Sequence, residues 1–350
     1  MTTPAPLRTL RVLLVDDSEA SRLALERILG DGPGLKVVGV ARDGEEGLRE
    51  ALRLVPDVIV LDLQMPRMDG FTFLRVLMAR QPVPVIVVSS QSRRTDVFKA
   101  LELGALDFVA KPDRGDDELL REELLEKCAT VRALRMENLS PRSAAVRLPL
   151  APAVEPRRVA VVGASTGGPQ ALLKLLSALP GDLALGILVA QHMPERFTGT
   201  FAERLGRSTP FSAHEASDGD LVAEGRVMVA PGGRHLEVRR DPEGALRAAV
   251  LLPGPRDPIP RYVPSIDRLF VSAAACLGPR VCAVVLTGMG QDGRAGVAAV
   301  KRAGGLTLAE SEETAVIYGM PQQAAESGAV DEVLGLGALA ERLVRFAREP

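Results

Sequence analysis

A serine in a short glycine-rich turn is a candidate nucleophile in this chain. The run Gly163-Ala164-Ser165-Thr166-Gly167-Gly168-Pro169 follows an apolar stretch and precedes an amphipathic one, which predicts a strand, a sharp turn and a helix. The helix N-terminus would favour negative charge that develops near Ser165. A glycine-rich phosphate-binding loop is the alternative, but neither a G-x-G-x-x-G pattern nor a G-K-S/T ending is present there.

A nucleophilic serine needs a general base, and three histidines are available. They are His192, His214 and His235. His192 ends an apolar run, the position at which a parallel sheet delivers a catalytic group, whereas the other two lie among short alternating runs. Asp292 could hold the histidine tautomer and stabilise the imidazolium, although it could instead cap a helix predicted over Gly296–Ala303. We therefore predict a triad of Ser165, His192 and Asp292, in a chain order that differs from the Ser…Asp…His order of α/β-hydrolases.

Five polar residues in the first third of the chain each follow a short run rich in β-branched residues. They are Asp16, Asp17, Asp62, Ser89 and Lys111. At the carboxyl ends of parallel strands they would converge in one crevice, where three carboxylates would repel each other without a hard cation such as Mg²⁺. The lysine and the small hydroxyl would complete a cradle for a phosphoryl group carried by one carboxylate. Taken singly, each residue also has an ordinary structural role, such as helix capping, the start of a loop or a surface charge.

The elements that must position these groups form two α/β domains. Between Leu10 and about Arg135, β-branched runs alternate with amphipathic segments, which predicts a five-strand doubly wound parallel sheet. The predicted strands cover residues 12–15, 37–40, 58–61, 85–88 and 108–110. We assign residues 8–135 to this domain and residues 136–156, which contain four prolines and no apolar period, to an extended interdomain linker.

The second domain, residues 157–348, is predicted to be a doubly wound, mostly parallel α/β domain. Apolar runs at 159–162, 185–189 and 281–286 do not alternate with polar residues, as expected for strands buried on both faces. Between Pro210 and Leu252 the runs are short and alternating, with Gly and Pro between them. Two of these runs, Arg226–Ala230 and Leu236–Arg239, predict antiparallel hairpins added to the sheet.

Composition excludes several classes of protein. The 350 residues carry 43 Lys+Arg and 45 Asp+Glu, a net charge of −2, so nucleic acid and anionic lipid are not expected partners. A hydrophobic content of 46% with 3% aromatic residues predicts large aliphatic cores. Three cysteines without C-x-x-C spacing argue against disulfides and zinc, and no segment resembles a signal peptide or a membrane span. We expect a cytoplasmic monomer without membrane insertion, whose partners are proteins or small molecules.

The N-terminal domain resembles the response-regulator receiver family. The resemblance rests on Leu-Leu-Val-Asp-Asp-Ser (13–18), Leu-Asp-Leu-Gln-Met-Pro-Arg-Met-Asp-Gly (61–70) and Lys-Pro (111–112). It implies that Asp62 is phosphorylated, with a chemotaxis histidine kinase as phosphodonor. The implied Mg²⁺ ligands are Asp16, Asp17 and Asp62. The residues implied to sense the phosphoryl group are Ser89, Lys111 and Phe108, the last at the aromatic switch position.

The C-terminal domain resembles the CheB-type chemotaxis methylesterases along almost its whole length. Besides the serine turn, the matching runs are Gln-His-Met-Pro (191–194), Ala-Pro-Gly-Gly-Arg-His-Leu (230–236), Pro-Ser-Ile-Asp-Arg-Leu-Phe (264–270), Leu-Thr-Gly-Met-Gly-Gln-Asp-Gly (286–293) and Tyr-Gly-Met-Pro (318–321). The resemblance implies that Ser165 is the nucleophile, His192 the general base and then acid, and Asp292 the orienting carboxylate. It also implies that Thr166 lies beside the nucleophile and that the backbone N–H of Met289 helps to bind the oxyanion.

Together the two resemblances imply a phosphorylation-activated enzyme of sensory adaptation. Its substrates would be glutamyl methyl esters on chemoreceptors, with deamidation of glutaminyl side chains as a second activity. Mg²⁺ would serve phosphorylation of the receiver, and ester hydrolysis would need no cofactor. The alternatives are a paralogue that serves another chemosensory pathway and a signalling scaffold without turnover, and the intact triad residues argue against the scaffold.

Overall fold

The chain folds into two α/β units. The computed structural model describes residues 8–90, 94–111, 117–134, 154–254 and 263–349. The units are Met1–Arg142 and Ser143–Pro350. Residues 136–153 of the predicted proline-rich linker lie outside the described residues.

The first unit is built on a five-stranded parallel sheet with the strand order β2-β1-β3-β4-β5. Its elements are β1 (Leu10–Val15), α1 (Glu19–Gly30), β2 (Leu35–Ala41), α2 (Gly44–Leu54), β3 (Val58–Leu61), α3 (Gly70–Arg80), β4 (Val85–Ser90), α4 (Arg94–Glu102), β5 (Asp107–Lys111) and α5 (Asp117–Thr130). The apolar side chains of β1, β3 and β4 pack against buried leucines of α1 and α5. The predicted five-strand doubly wound sheet is confirmed.

Polar caps fix where the helices of this unit begin. The side chains of Ser18, Asp43 and Asp69 each accept a hydrogen bond from a backbone N–H in the first turn of α1, α2 and α3. A cap of this kind satisfies an amide that has no partner within the helix. Helices α1 and α2 therefore start within a few residues of the ends of β1 and β2, and the carboxyl edge of the sheet stays open to Asp16 and Asp62.

The second unit contains a seven-stranded parallel sheet with the order β14-β13-β12-β6-β7-β9-β8, and a separate two-stranded hairpin. Its elements are β6 (Arg158–Ala164), α6 (Gly168–Ser177), β7 (Leu185–Gln191), α7 (Thr198–Ser208), β8 (Ser212–Glu215), β9 (Arg226–Val229), β10 (His235–Arg240), β11 (Leu246–Leu251), α8 (Ile266–Leu277), β12 (Val281–Val285), α9 (Arg294–Arg302), β13 (Leu306–Glu310), α10 (Met320–Glu326), β14 (Glu332–Leu334) and α11 (Leu336–Arg348). The mostly parallel α/β fold with an antiparallel addition is confirmed.

One strand was predicted in the wrong setting. The run Arg226–Ala230 was expected in an antiparallel hairpin, but β9 pairs in parallel with both β7 and β8 inside the main sheet. Val227, Met228 and Val229 are all buried, so β9 is covered on both faces as interior parallel strands are. The antiparallel pair is β10 with β11.

No helix of the described residues is long and apolar enough to cross a membrane.

Candidate functional site

The predicted nucleophile lies in a turn that is held by backbone hydrogen bonds. Ser165 directly follows β6, and Gly167 adopts a φ of +78° at the start of α6, a conformation that favours glycine. The N–H of Ser165 donates to the carbonyl of Thr287 (3.0 Å), and its carbonyl accepts from Gly168 N (2.7 Å) and from Gln191 Nε2 (2.9 Å). The backbone of Ser165 is therefore fixed on both sides while its side chain stays half-buried.

Sheet register brings His192 next to this serine. Strands β6 and β7 are parallel neighbours in which Ala164 pairs with Gln191, so Ser165 and His192 are the next residue beyond each strand end. The N–H of His192 donates to the carbonyl of Ala164 (3.0 Å), which extends the ladder to this point. Adjacent strands lie about 4.8 Å apart, so the two residues emerge side by side at the carboxyl edge of the sheet.

Asp292 is hydrogen bonded to the imidazole. Its Oδ2 lies 2.9 Å from Nε2 of His192. The same carboxylate accepts from the backbone N–H groups of Ile266 (2.8 Å) and Asp267 (2.9 Å) at the start of α8. Burial alone would raise the pKa of Asp292, but the hydrogen bond and attraction to His192, together with these amides, outweigh burial and lower it. Asp292 is therefore kept ionised beside the imidazole.

Asp292 caps a helix, as the alternative to its triad role predicted, but the helix is not the one that was predicted. It caps α8 and not the following helix α9, whose first-turn amides are bound by Asp267. The Oδ1 of Asp267 accepts from Gly293 N (3.0 Å) and Gly296 N (2.6 Å). Burial is the main reason why the pKa of Asp267 rises to about 6, with repulsion from Asp292 acting in the same direction. Asp267 of α8 thus binds the start of α9, and Asp292, which precedes α9, binds the start of α8.

The segment Thr287–Met289 packs directly against the serine. A Cβ atom built on Gly288 would lie 2.7 Å from the Cβ of Ser165, so only glycine allows this approach. Gly288 is clamped by hydrogen bonds from its N–H to Ile317 O (3.1 Å) and from Met320 N to its carbonyl (2.7 Å). Met289, the predicted oxyanion residue, follows immediately, and Thr166 is buried beside the same segment.

The other two histidines have partners away from Ser165. His214 Nε2 lies 3.3 Å from Asp220 Oδ2, and His235 Nδ1 accepts from the N–H of Ser265 (3.1 Å). Neither histidine follows a strand that neighbours β6. His192 is thus the histidine that the sheet brings to the serine turn.

In the first unit, a lysine bridges two of the predicted carboxylates. The Nζ of Lys111 lies 2.8 Å from Asp16 Oδ2 and 2.7 Å from Asp62 Oδ1. Burial raises the pKa of Asp62 and outweighs the attraction to Lys111, while Asp16 adds repulsion. Burial alone would lower the pKa of Lys111, but the two carboxylates raise it. The three groups form one charge-coupled cluster at the carboxyl ends of β1, β3 and β5.

Of the remaining predicted residues of this unit, Asp17 and Ser89 lie at the same edge, and Phe108 lies near the start of β5. Asp17 is exposed, Ser89 is buried near the end of β4, and Phe108 packs edge-on against Phe98 with ring centroids 6.3 Å apart. Within the described ranges, no three His, Cys, Asp or Glu side chains are grouped closely enough to hold a metal ion. The two clustered carboxylates nevertheless fit Mg²⁺, which binds through one or two protein carboxylates and several waters.

Sequence reasoning missed residues that hold the site together. These are Gln191, Asp267, Thr287 and Glu310. Gln191 and Asp267 stand in runs that signalled the family, and adjacency to His192 could have identified the first of them. Glu310 ends a buried strand, β13, in the way that His192 follows β7, so the strand-end rule could have found it as well.

Comparison with known proteins agrees with both units. A family model described as CheB methylesterase matches residues 160–343, and one described as response regulator receiver domain matches residues 12–123. A protein-glutamate methylesterase/protein-glutamine glutaminase of Anaeromyxobacter dehalogenans is 70% identical over 98% of this chain and 97% of its own length. Another of that name from Geobacter sulfurreducens is 46% identical over 97% of this chain and 98% of its own length.

A solved structure supports the fold of the second unit. The crystal structure of the Thermotoga maritima CheB methylesterase catalytic domain is 35% identical, covers 55% of this chain and 99% of its own, and superposes with a TM-score of 0.52. The resemblance inferred from the sequence motifs is thereby confirmed. Since one family model spans more than half of the chain and a relative of 70% identity matches nearly all of it, the chain belongs to the CheB methylesterase family of hydrolases and carries an N-terminal receiver domain.

Proposed function

We propose that this chain hydrolyses glutamyl methyl esters and deamidates glutaminyl side chains of chemoreceptors, with Ser165, His192 and Asp292 as its catalytic triad. The names of its relatives, protein-glutamate methylesterase/protein-glutamine glutaminase, support both activities. The observation that carries the triad is the 2.9 Å contact between His192 and Asp292 at the strand end beside Ser165.

The first half of the reaction forms an acyl-enzyme. Since Nε2 of His192 is bound to the Asp292 carboxylate, it holds the proton of the neutral ring, and Nδ1 is the nitrogen that accepts the proton of Ser165. The Oγ of Ser165 then attacks the ester carbonyl, and Asp292 stabilises the imidazolium that results. When the tetrahedral intermediate collapses, the C–O bond to the methoxy group breaks, and His192 returns its proton to release methanol.

The second half regenerates the enzyme. A water molecule gives one proton to His192 while its oxygen attacks the acyl carbon. The ester bond to Ser165 then breaks, His192 returns the proton to the serine oxygen, and a glutamate side chain is released. The same sequence on a glutaminyl substrate releases ammonia in the first half. The backbone N–H of Met289 stabilises the oxyanion in both halves, with Thr166 beside it. Loss of one such donor typically costs about 3–4 kcal/mol of transition-state stabilisation.

The receiver unit regulates this activity through Asp62, which accepts a phosphoryl group from a chemotaxis histidine kinase. Mg²⁺ bound by Asp16, Asp17 and Asp62 would neutralise phosphoryl charge during the transfer. Lys111 already contacts Asp62 and would pair with the phosphoryl oxygens. Ser89 and Phe108 would then report the modification to the rest of the unit. Kinase and receptor cytoplasmic domains as partners imply that the enzyme acts in the cytoplasm.

The test is release of methanol from receptor membranes that carry methylated glutamates. Wild-type protein should release methanol, and a small phosphodonor should accelerate release. Ser165→Ala should reduce kcat at least roughly 1,000-fold, because members of a triad act as a unit. Ser177→Ala is the matched control, since Ser177 lies on α6 and donates to Ser208 O (3.1 Å), away from the turn. Wild-type rates in the Ser165 variant would overturn the assignment of the nucleophile.

A further inference from the structure

Glu310 is a fully buried carboxyl group behind the serine turn. It ends β13, the neighbour of β12, and none of its surface is exposed. Its Oε2 accepts from the N–H of Thr287 (2.8 Å), and its Oε1 accepts from Oγ1 of Thr314 (3.0 Å). Burial of a carboxyl group costs free energy unless its oxygens are hydrogen bonded. Both oxygens of Glu310 have partners. The triad mechanism gives Glu310 no role.

Thr287 connects this carboxyl group to the nucleophile. Its carbonyl accepts from the N–H of Ser165 (3.0 Å), and its Oγ1 donates to the carbonyl of Thr166 (3.0 Å). Its Oγ1 also accepts from Ile317 N (2.9 Å). Two consecutive hydrogen bonds therefore lead from Glu310 through one residue to Ser165. The same residue begins the segment that ends at Met289, so Glu310 anchors both the nucleophile and the proposed oxyanion donor.

The surroundings of Glu310 favour its neutral form. Burial raises the pKa of Glu310 from the ordinary 4.5 to about 7, although the hydrogen bonds from Thr287 and Thr314 and the attraction of Lys174 on α6 act against burial. On each of the three helices packed against β13, one charged group is engaged with a partner other than Glu310. The pairs are Lys301 of α9 with Asp331, Arg342 of α11 with Glu332 of β14, and Glu326 of α10 with Gln322.

We propose that Glu310 is a positioning residue of the hydrolytic site that acts in its neutral form, holding Thr287 and thereby Ser165 and Met289 without adding negative charge behind the oxyanion. The inference rests on the proposed function of Ser165. Protonated on Oε1, Glu310 still accepts the hydrogen bond from Thr287 N through Oε2, and its O–H donates to Oγ1 of Thr314 in place of the bond that Oε1 accepts when ionised. Ionised, it would place a second buried anion near the developing oxyanion, where low dielectric strengthens the repulsion.

The pH dependence of kcat/KM tests this inference, because a merely structural carboxyl group would not shape it. We expect the wild-type profile to fall at least about threefold between roughly pH 7 and 8.5 as Glu310 ionises. Glu310→Gln keeps the acceptor for Thr287 but cannot ionise, so the fall should disappear. Glu310→Ala removes the anchor and should lower kcat more than it changes KM at every pH.

Asp331→Asn is the matched control. Asp331 accepts from the N–H of Thr307 (3.0 Å) at the opposite end of β13, so its loss also removes a carboxylate bound to this strand. This variant should keep the wild-type profile. A descending limb that persists in Glu310→Gln, or a wild-type kcat in Glu310→Ala, would overturn the proposal.

An infrared measurement separates this inference from the proposed function. The difference spectrum between wild type and Glu310→Gln should show the carbonyl band of a protonated carboxyl group at about pH 6 that is lost by about pH 8.5, whatever the enzyme hydrolyses. Absence of that band at the lower pH overturns the role of Glu310 even if methanol is released. Failure of the proposed function is recognised independently, as full hydrolysis by Ser165→Ala.

Discussion

Replacing Glu310 by Gln should change how the stability of the second unit depends on pH. The folded state raises the pKa of this carboxyl group from 4.5 to about 7 because the group is buried. A folded pKa above the unfolded value means that this stabilisation is complete below about pH 4.5 and is lost as pH rises through about 7. The rise of the Glu310 pKa from 4.5 to about 7 corresponds to about 3 kcal/mol of unfolding free energy, since a tenfold change in an acid dissociation constant is worth about 1.4 kcal/mol.

Glu310→Gln cannot ionise at this position, so its free energy of unfolding does not fall in this way as pH rises. Relative to wild type, the free energy of unfolding of Glu310→Gln should therefore rise by about 2.5 kcal/mol between roughly pH 5 and 8, since part of the loss in wild type already occurs below about pH 5. The chain itself supplies a selective probe for this measurement. It has no tryptophan and two tyrosines, Tyr262 and Tyr318, both in the unit Ser143–Pro350. Urea unfolding of the full chain followed by tyrosine fluorescence thus reports on that unit alone.

Asp331→Asn provides a control of opposite sign. Burial would raise the pKa of Asp331, but hydrogen bonds from Lys301 and Thr307 outweigh burial and lower it. Its ionised form is therefore the stabilising one, and this contribution is fully present above the unfolded pKa and is lost as pH falls through the lowered folded pKa. The free energy of unfolding of this variant should thus lie below that of wild type by a constant amount between roughly pH 5 and 8. If the difference between Glu310→Gln and wild type does not change with pH, the carboxyl group is not neutral at low pH and the reasoning fails.

Two further predictions concern the triad and the receiver. Asp292→Asn should lower kcat with little change in KM yet retain roughly 100 times more activity than Ser165→Ala, because Asp292 orients the imidazole and does not itself react; methanol release at saturating substrate measures both, and equal losses would contradict the assigned roles. Asp62→Ala should abolish stimulation by a small phosphodonor and leave basal hydrolysis unchanged, since Lys111 keeps its contact with Asp16 (2.8 Å). Stimulation that survives in this variant would show that another residue accepts the phosphoryl group.

The sequence was most informative where a strand ends. Parallel strands deliver their carboxyl-end residues to one edge whatever the loops do, so Asp16, Asp62 and Lys111 could be grouped before any contact was known, and the structure joins them within 2.8 Å. His192 directly follows β7, and the loop after β12 brings Asp292, 100 residues further along the chain, to the same edge. The inference needs only a short run of apolar residues, without alternating polar ones, to mark each strand.

Pairing between distant segments was harder to predict. The alternation in Arg226–Ala230 suggested an antiparallel hairpin, because local pattern does not reveal that β7 and β8 flank this strand on both sides. The helix that Asp292 caps was misassigned for a similar reason. Its sequence neighbour α9 is capped by Asp267, and Asp292 caps α8, which starts 26 residues earlier. Closeness in sequence therefore does not identify the helix that an aspartate caps when the starts of two helices lie close together.

Two buried carboxyl groups are linked to the serine turn, Asp292 through His192 and Glu310 through Thr287, and their environments separate their protonation states. Asp292 receives two amides at a helix terminus and the imidazole of His192, and its pKa falls. Glu310 receives one amide and one hydroxyl at a strand end, and its pKa rises to about 7. Opposite shifts of neighbouring acids are how one site assigns different tasks to chemically similar groups. Under the proposed mechanism, negative charge would thus be concentrated where the imidazolium forms and withheld where the oxyanion forms, which is the distribution that acyl transfer requires.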